Sequence, residues 1–309
     1  MKRRSPIRNR VVAGAVSSLL LLGLRGDVKP PGYTIRTDVR LVLLDVAVRN
    51  GAGGFVAGLS KDQFHVTEND RPQPITVFAT DDVPVTVGIL VDESRSMTPK
   101  RAEVLSAAQT FIRESNPKDE IFVLNFNDRV MRGLPEGVPF SDNVDQLRAA
   151  LYRGIPQGRT ALNDAIVAGL KQLQEGKRDK KTLIVISDGG DNASQYKRRD
   201  MFDLVETSSA TIYTIGLADA DDPDRDAGLL KALARISGGT AYFPESLERM
   251  VPVCEAIAKE IRIRYTIGYP APSDSGSSLR HIHVRVAAPG RGRLTAHTRT
   301  SYRYEDIAK

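Results

Sequence analysis

The stretch Thr86-Val87-Gly88-Ile89-Leu90-Val91-Asp92-Glu93-Ser94-Arg95-Ser96 decides how this chain is read. Its first six residues form a short, mostly apolar run of strand length. An Asp-x-Ser-x-Ser pattern follows at once, so a carboxylate and two hydroxyls stand where a buried strand meets its loop. These are hard oxygen donors, at the place where open α/β sheets hold their ligands. Taken alone, the same five residues suit an ordinary turn or helix N-cap about as well.

Outward from that stretch, residues 83–261 alternate between apolar strand-like runs and amphipathic helical ones. Strands are expected at 86–91, 120–126, 129–134, 182–187, 211–216 and 240–243. Helices are expected at 100–115, 142–152, 161–174, 200–209, 228–236 and 247–261. Val104, Ala107, Ala108 and Phe111 fall on one helical face, as do Leu162, Ala165, Ile166, Gly169 and Leu170. Alternation of this kind predicts a mostly parallel sheet covered by helices on both faces. Cys254, the only cysteine, falls in the last helix as a small apolar residue. It leaves neither an intramolecular disulfide nor a cysteine-based metal site.

The flanks read differently. Residues 33–82 show short alternating runs broken by turn clusters at Asn50-Gly51-Ala52-Gly53-Gly54 and Asn69-Asp70-Arg71-Pro72. Residues 262–305 return to alternation at 262–269, 281–287 and 293–304. Each flank is small for a β domain on its own, while together they match one sandwich. The expected fold is therefore α/β: a doubly wound, mostly parallel sheet at 83–261, inserted in a small β-sandwich built from 33–82 and 262–305.

The formal charge of +6 is concentrated at the start. Residues 1–32 hold Lys2, Arg3, Arg4, Arg8, Arg10, Arg25 and Lys29 against Asp27, so the rest of the chain carries no net charge. A basic nucleic-acid-binding surface is not expected. The basic head precedes Val11 to Leu24, 14 uncharged and mostly apolar residues. That pattern reads as a secretory signal, over about residues 1–26, and is short for a membrane span. No Ala-x-Ala cleavage site follows, which leaves an uncleaved N-terminal anchor open as the one membrane contact. The expected location is outside the cytoplasm: periplasmic, cell-envelope or secreted.

Two further motifs share the sheet edge of Asp92. Gly158-Arg159-Thr160-Ala161-Leu162-Asn163-Asp164 runs into a helix, with Thr160 near its start. Thr182-Leu183-Ile184-Val185-Ile186-Ser187-Asp188-Gly189-Gly190 is a strand ending in an acidic, Gly-rich loop. Parallel strands align their C-terminal ends, so Asp92, Thr160 and Asp188 are expected at one edge. The three motifs together, with Leu233-Ala234 and Ser237-Gly238-Gly239 before the last strand, resemble a von Willebrand factor type A domain with its metal-ion-dependent adhesion site. The resemblance covers about residues 83–261. The flanks, notably 39–48 and 58–64, resemble the bacterial exported von Willebrand factor A-related family. The resemblance implies that Asp92, Ser94, Ser96, Thr160 and Asp188 hold a Mg²⁺, some directly and some through water. Mn²⁺ and Ca²⁺ suit the same hard donors. A remaining coordination position would accept an Asp or Glu of a protein partner.

Arg95 departs from the family, where Gly is frequent between the two serines. A long cation there either weakens the ion or contacts an acidic partner, with Glu93 beside it as an offsetting charge and Arg159 as a second rim cation. A metal-dependent phosphohydrolase is the rival reading. Such enzymes usually have a second carboxylate two residues after the first, and Ser94 stands there. His65, His281, His283 and His297 all lie outside 83–261, so the α/β segment supplies no imidazole base. A non-enzymatic binding module is expected; a structural scaffold with a vestigial site is the third reading. The acidic stretch 219–226 lacks the Gly and Glu of a calcium loop and reads as solvated. His281 and His283 share a strand face and read as an exposed pair. Residues 177–181 read as a solvated helix end.

Overall fold

The opening stretch forms β5 (Val85–Asp92), buried at every position between two parallel neighbours. A strand paired on both sides and covered on both faces has no polar face to present, which explains its unbroken apolar sequence. The computed structural model describes residues 40–80, 82–217, 226–272 and 278–304. The proposed leader, and all but the last residue of the acidic stretch 219–226, lie outside the described residues. The described residues all lie in the unit Val39–Lys309.

Around β5 a six-stranded sheet is built from β6 (Glu120–Phe126), β7 (Val130–Arg132), β8 (Lys180–Ser187), β9 (Thr211–Gly216) and β10 (Ala241–Tyr242), in the order β10-β9-β8-β5-β6-β7. All neighbours are parallel except β6 and β7, which form an antiparallel edge. The helices are α1 (Arg101–Glu114), α2 (Val144–Tyr152), α3 (Leu162–Glu175), α4 (Arg198–Thr207), α5 (Ala227–Ser237) and α6 (Met250–Arg262). The apolar faces read from α1 and α3 are buried against this sheet in one core. Cys254 is buried on α6, and burial pushes its thiol up to about 12.

The flanking segments form two four-stranded sheets. One has the order β13-β1-β11-β4, from β13 (Leu294–His297), β1 (Leu41–Asn50), β11 (Tyr265–Pro270) and β4 (Val77–Ala79). The other has the order β14-β12-β2-β3, from β14 (Ser301–Arg303), β12 (Leu279–Val286), β2 (Phe64–Glu68) and β3 (Arg71–Gln73). Each sheet mixes strands from before and after the α/β segment. Leu44, Val46, Tyr265 and Ile267 of the first pack with Phe64, Val66, Ile282 and Val284 of the second in a separate core. Inside it Arg280 pairs with Glu68 at 3.0 Å, both buried, while Tyr269 and Tyr302 donate to the other Glu68 oxygen.

Three expectations change in detail. The run 293–304 is not one strand: β13 and β14 belong to different sheets, and the chain crosses between them at Thr298–Thr300. There it presses on the backbone of Gly238, where a Cβ would lie 2.2 Å from the Arg299 nitrogen. Residues 177–181 are not a helix end. Helix α3 stops at Glu175, and Lys180 and Lys181 open β8, held by Asp45 at 3.5 Å and by the Gly176 carbonyl at 2.6 Å. The turn at 69–72 is tighter than expected, with Asn69 and Asp70 at positive φ and Arg71 already in β3.

A buried polar network joins the sandwich to the α/β unit. The Arg264 guanidinium, 1% exposed, reaches Asp45 of β1 at 2.6 Å and Glu260 of α6 at 2.9 Å. It also donates to the Tyr213 hydroxyl on β9 and to the carbonyls of Asp45 and Gly238. Arg49 of β1 binds the other Glu260 oxygen at 2.8 Å, and Thr240 and Tyr242 beside it. A buried charge is tolerated only when paired and hydrogen-bonded, as both arginines are here.

Candidate metal centre

β5 and β8 are adjacent and parallel, so their C-terminal ends lie side by side and deliver Asp92 and Ser187-Asp188 to one edge. Asp92 is 2% exposed, Ser94 2%, Asp188 3% and Thr160 5%, whereas Ser96 is exposed. The cluster therefore meets solvent on the Ser96 side.

Hydrogen bonds draw four of the five expected ligands together. The Ser94 and Ser96 hydroxyls are 3.0 Å apart. Ser96 Oγ donates to Asp188 Oδ2 at 2.6 Å. Asp92 Oδ1 accepts the Ser94 N–H at 2.8 Å, which folds the chain back after β5. Thr160 reaches this edge by a different route. Its N–H donates to Asn192 Oδ1 at 2.9 Å, and its carbonyl accepts from the N–H groups of Asn192 and Ala193. The loop before α3 is thus tied to the loop after β8.

Ser187 was not singled out from the sequence. Its hydroxyl donates to Asp92 Oδ2 at 2.6 Å and accepts the Gly189 N–H at 3.0 Å. The signal was its position: a small hydroxyl residue at the end of the strand beside β5, one residue before Asp188. Gly189 has φ +90°, and a Cβ there would lie 2.7 Å from the Asp226 carbonyl oxygen, so glycine is needed to turn the chain at once after Asp188.

Two carboxylates this close repel. Burial, then the charge of Asp188, raise Asp92 from an ordinary 3.8 to about 7, against the lowering effect of its bonds from Ser187 and Ser94. The arrangement concentrates negative charge and neutral hydroxyl oxygens at one partly open point. That donor set suits a hard divalent cation. Among the described residues no group of three or more His, Cys, Asp or Glu could hold a metal, so any ion here would rely on the hydroxyls.

The two rim cations differ. Arg95 is exposed, and its backbone N–H donates to the Gly158 carbonyl at 3.2 Å. Arg159 is held by Asp128 at 3.1 Å and by the Asn192 carbonyl at 3.3 Å. Glu93 does not offset Arg95. It turns inward, 1% exposed, and pairs with Arg101 Nε at 3.0 Å. Burial raises its pKa while Arg101 opposes the rise. His281 and His283 are exposed on β12 in the sandwich, and His297 ends β13.

Residues 87–190 match the family model of the von Willebrand factor type A domain. No curated protein matches the chain. Among solved structures it is similar to a von Willebrand factor type A protein from Catenulispora acidiphila. The identity is 13%, 88% of this chain and 76% of that one are covered, and the TM-score is 0.52. It is also similar to proximal thread matrix protein 1 from the mussel byssus, at 13% identity, with 63% of this chain and 51% of that one covered and a TM-score of 0.51. The chain spans about half the length of the byssus protein. Likeness at such identity speaks for the fold alone; the family match supports a von Willebrand factor type A domain over residues 87–190 of the α/β unit.

Proposed function

We propose that this protein is an exported, non-enzymatic binding module whose von Willebrand factor type A domain, about residues 83–261, grips an acidic side chain of a partner protein through a divalent ion. Asp92, Ser94, Ser96, Thr160 and Asp188 would hold the ion. Mg²⁺ is the favoured metal, with Mn²⁺ and Ca²⁺ as chemical equivalents. The bound ion would supply positive charge and an open position for an outside carboxylate. The observation that carries this reading is the pair Asp92 and Asp188, buried at adjacent strand ends: Asp92 accepts the Ser94 N–H, Asp188 accepts the Ser96 hydroxyl, and the two serine hydroxyls lie 3.0 Å apart. The exposed face at Ser96, with Arg95 beside it, leaves room for an acidic partner. The basic head and apolar run of residues 1–26 support export.

The test is direct. Titration calorimetry with Mg²⁺ or Mn²⁺ should show one site that Asp92→Ala removes. Proteins captured from an envelope extract should be lost on adding EDTA and in the Asp92→Ala variant. A captured set unaffected by either treatment sinks the ion-bridged mechanism. Turnover of phosphate esters that Asp92→Ala abolishes would instead establish an enzyme.

A further inference from the structure

Glu93 is an acidic side chain beside the proposed ion site that points away from it. Its carboxylate is 1% exposed, and Oε2 accepts from Arg101 Nε at 3.0 Å. Arg101, the first residue of α1, also donates from Nη2 to the Gly154 carbonyl at 2.7 Å. Gly154 sits on the loop that leads from α2 to Thr160. The other Glu93 oxygen rests on Gly154 so closely that a Cβ there would lie 2.3 Å away. The backbones of the same two loops are joined as well. The Gln157 N–H donates to the Glu93 carbonyl at 2.9 Å and the Arg95 N–H to the Gly158 carbonyl at 3.2 Å.

We infer that Glu93 and Arg101 are positioning residues: an ion pair, buried at its Glu93 end and half-buried at Arg101, that straps the Thr160 loop to the Asp92–Ser96 loop and so sets the spacing of the proposed ion ligands. The inference rests on the ion-binding reading above. The chemistry favours a strap over a loose surface pair. A guanidinium is a planar fork that can hold a carboxylate and a carbonyl at once, which an ammonium on a flexible stem does poorly. Both ends are fixed, one to the residue after Asp92 and the other to a loop six residues before Thr160. Groups behind metal ligands commonly change affinity by 10- to 100-fold on removal.

The experiment uses the full chain and two readouts. Mn²⁺ affinity is measured by calorimetry for wild type, Glu93→Ala, Glu93→Gln, Arg101→Ala, Arg101→Lys and the Glu93→Ala/Arg101→Ala double variant. Amide exchange of Arg95 and Gln157 is measured on the metal-free proteins. Removing either partner should weaken Mn²⁺ by about tenfold or more, and the double variant should be no worse than the single ones. Glu93→Gln, which keeps an acceptor for Arg101, should recover most of the affinity, and Arg101→Lys should not. Exchange at both amides should accelerate in the alanine variants. Alanine variants that bind Mn²⁺ as wild type does, with unchanged exchange, overturn the strap. A loss of thermal stability with unaltered Mn²⁺ affinity also overturns it, because it shows packing alone. If wild type binds no Mn²⁺, the ion reading falls; the amide exchange then still decides whether the pair holds the two loops together.

Discussion

Replacing Asp92 with Asn should stabilise the metal-free protein at neutral pH, although it removes a proposed ligand. Burial and the charge of Asp188 raise Asp92 to about 7 from 3.8, so the fold favours its protonated form. In the unfolded chain the group ionises near its ordinary value. Between pH 4 and 7 the native state therefore binds more protons than the unfolded one, and stability falls as pH rises through that window. The full difference is roughly 4 kcal/mol, present above about pH 7 and absent below about pH 4. Asparagine carries no charge to confine, can still accept the Ser94 N–H, and can donate to the Ser187 hydroxyl. Urea unfolding in EDTA at pH 5 and pH 8 measures the effect. Wild type should lose more stability than Asp92→Asn between the two pH values, and the variant should be the more stable at pH 8. Saturating Mg²⁺ should reverse that order by stabilising wild type alone. Equal pH dependence of the two proteins in EDTA would refute the argument that Asp92 is held against its charge.

Ser187→Ala removes the bond at 2.6 Å to Asp92 and should weaken Mn²⁺ binding; a bond to a charged group contributes about 1.5–3 kcal/mol. Calorimetry reads it. Arg264→Ala leaves Glu260 and Asp45 without their shared buried cation and should cost about 3–5 kcal/mol in urea unfolding, with Arg264→Met less damaging than Glu260→Ala in the same assay. Gly88→Ala places a Cβ 2.3 Å from a Phe122 ring carbon and 2.7 Å from a Leu183 methyl, so overpacking should lower stability by about 1–3 kcal/mol. Its midpoint in urea checks this.

The α/β elements were legible because hydrophobic period reports local geometry. Glu120–Phe126 and Thr211–Gly216 have the bounds read from their apolar runs, and Asp92 and Asp188 were placed by strand ends alone. What the pattern does not report is partnership. Residues 293–304 alternate throughout, yet the alternation says nothing about which sheet each half joins. Arg264 lies in a run that alternates like a half-exposed strand, but it is buried to 1% because Glu260, one helical turn earlier, and Asp45, far back in the chain, meet it. Glu93 looked like a rim charge for the same reason. A carboxylate is expected in water until its cation is known, and Arg101, eight residues on, becomes that cation only once α1 has formed.

The mixed sandwich has a consequence for how the chain acquires its structure. Leu41 pairs with Pro270 and Phe64 with Val286, so β1 and β2 can complete their sheets only after the whole α/β segment has been made. Contacts so distant in sequence are slow to form, because the intervening chain must first give up its freedom. During synthesis β1 to β4 wait with Leu44, Val46 and Phe64 uncovered, while the α/β segment has nearly all its own sheet partners at hand. Collapse of that segment shortens the loop the sandwich must close. The inserted domain thus acts as the clamp that brings the two halves of its host into register. Destabilising it should expose the first strands to aggregation.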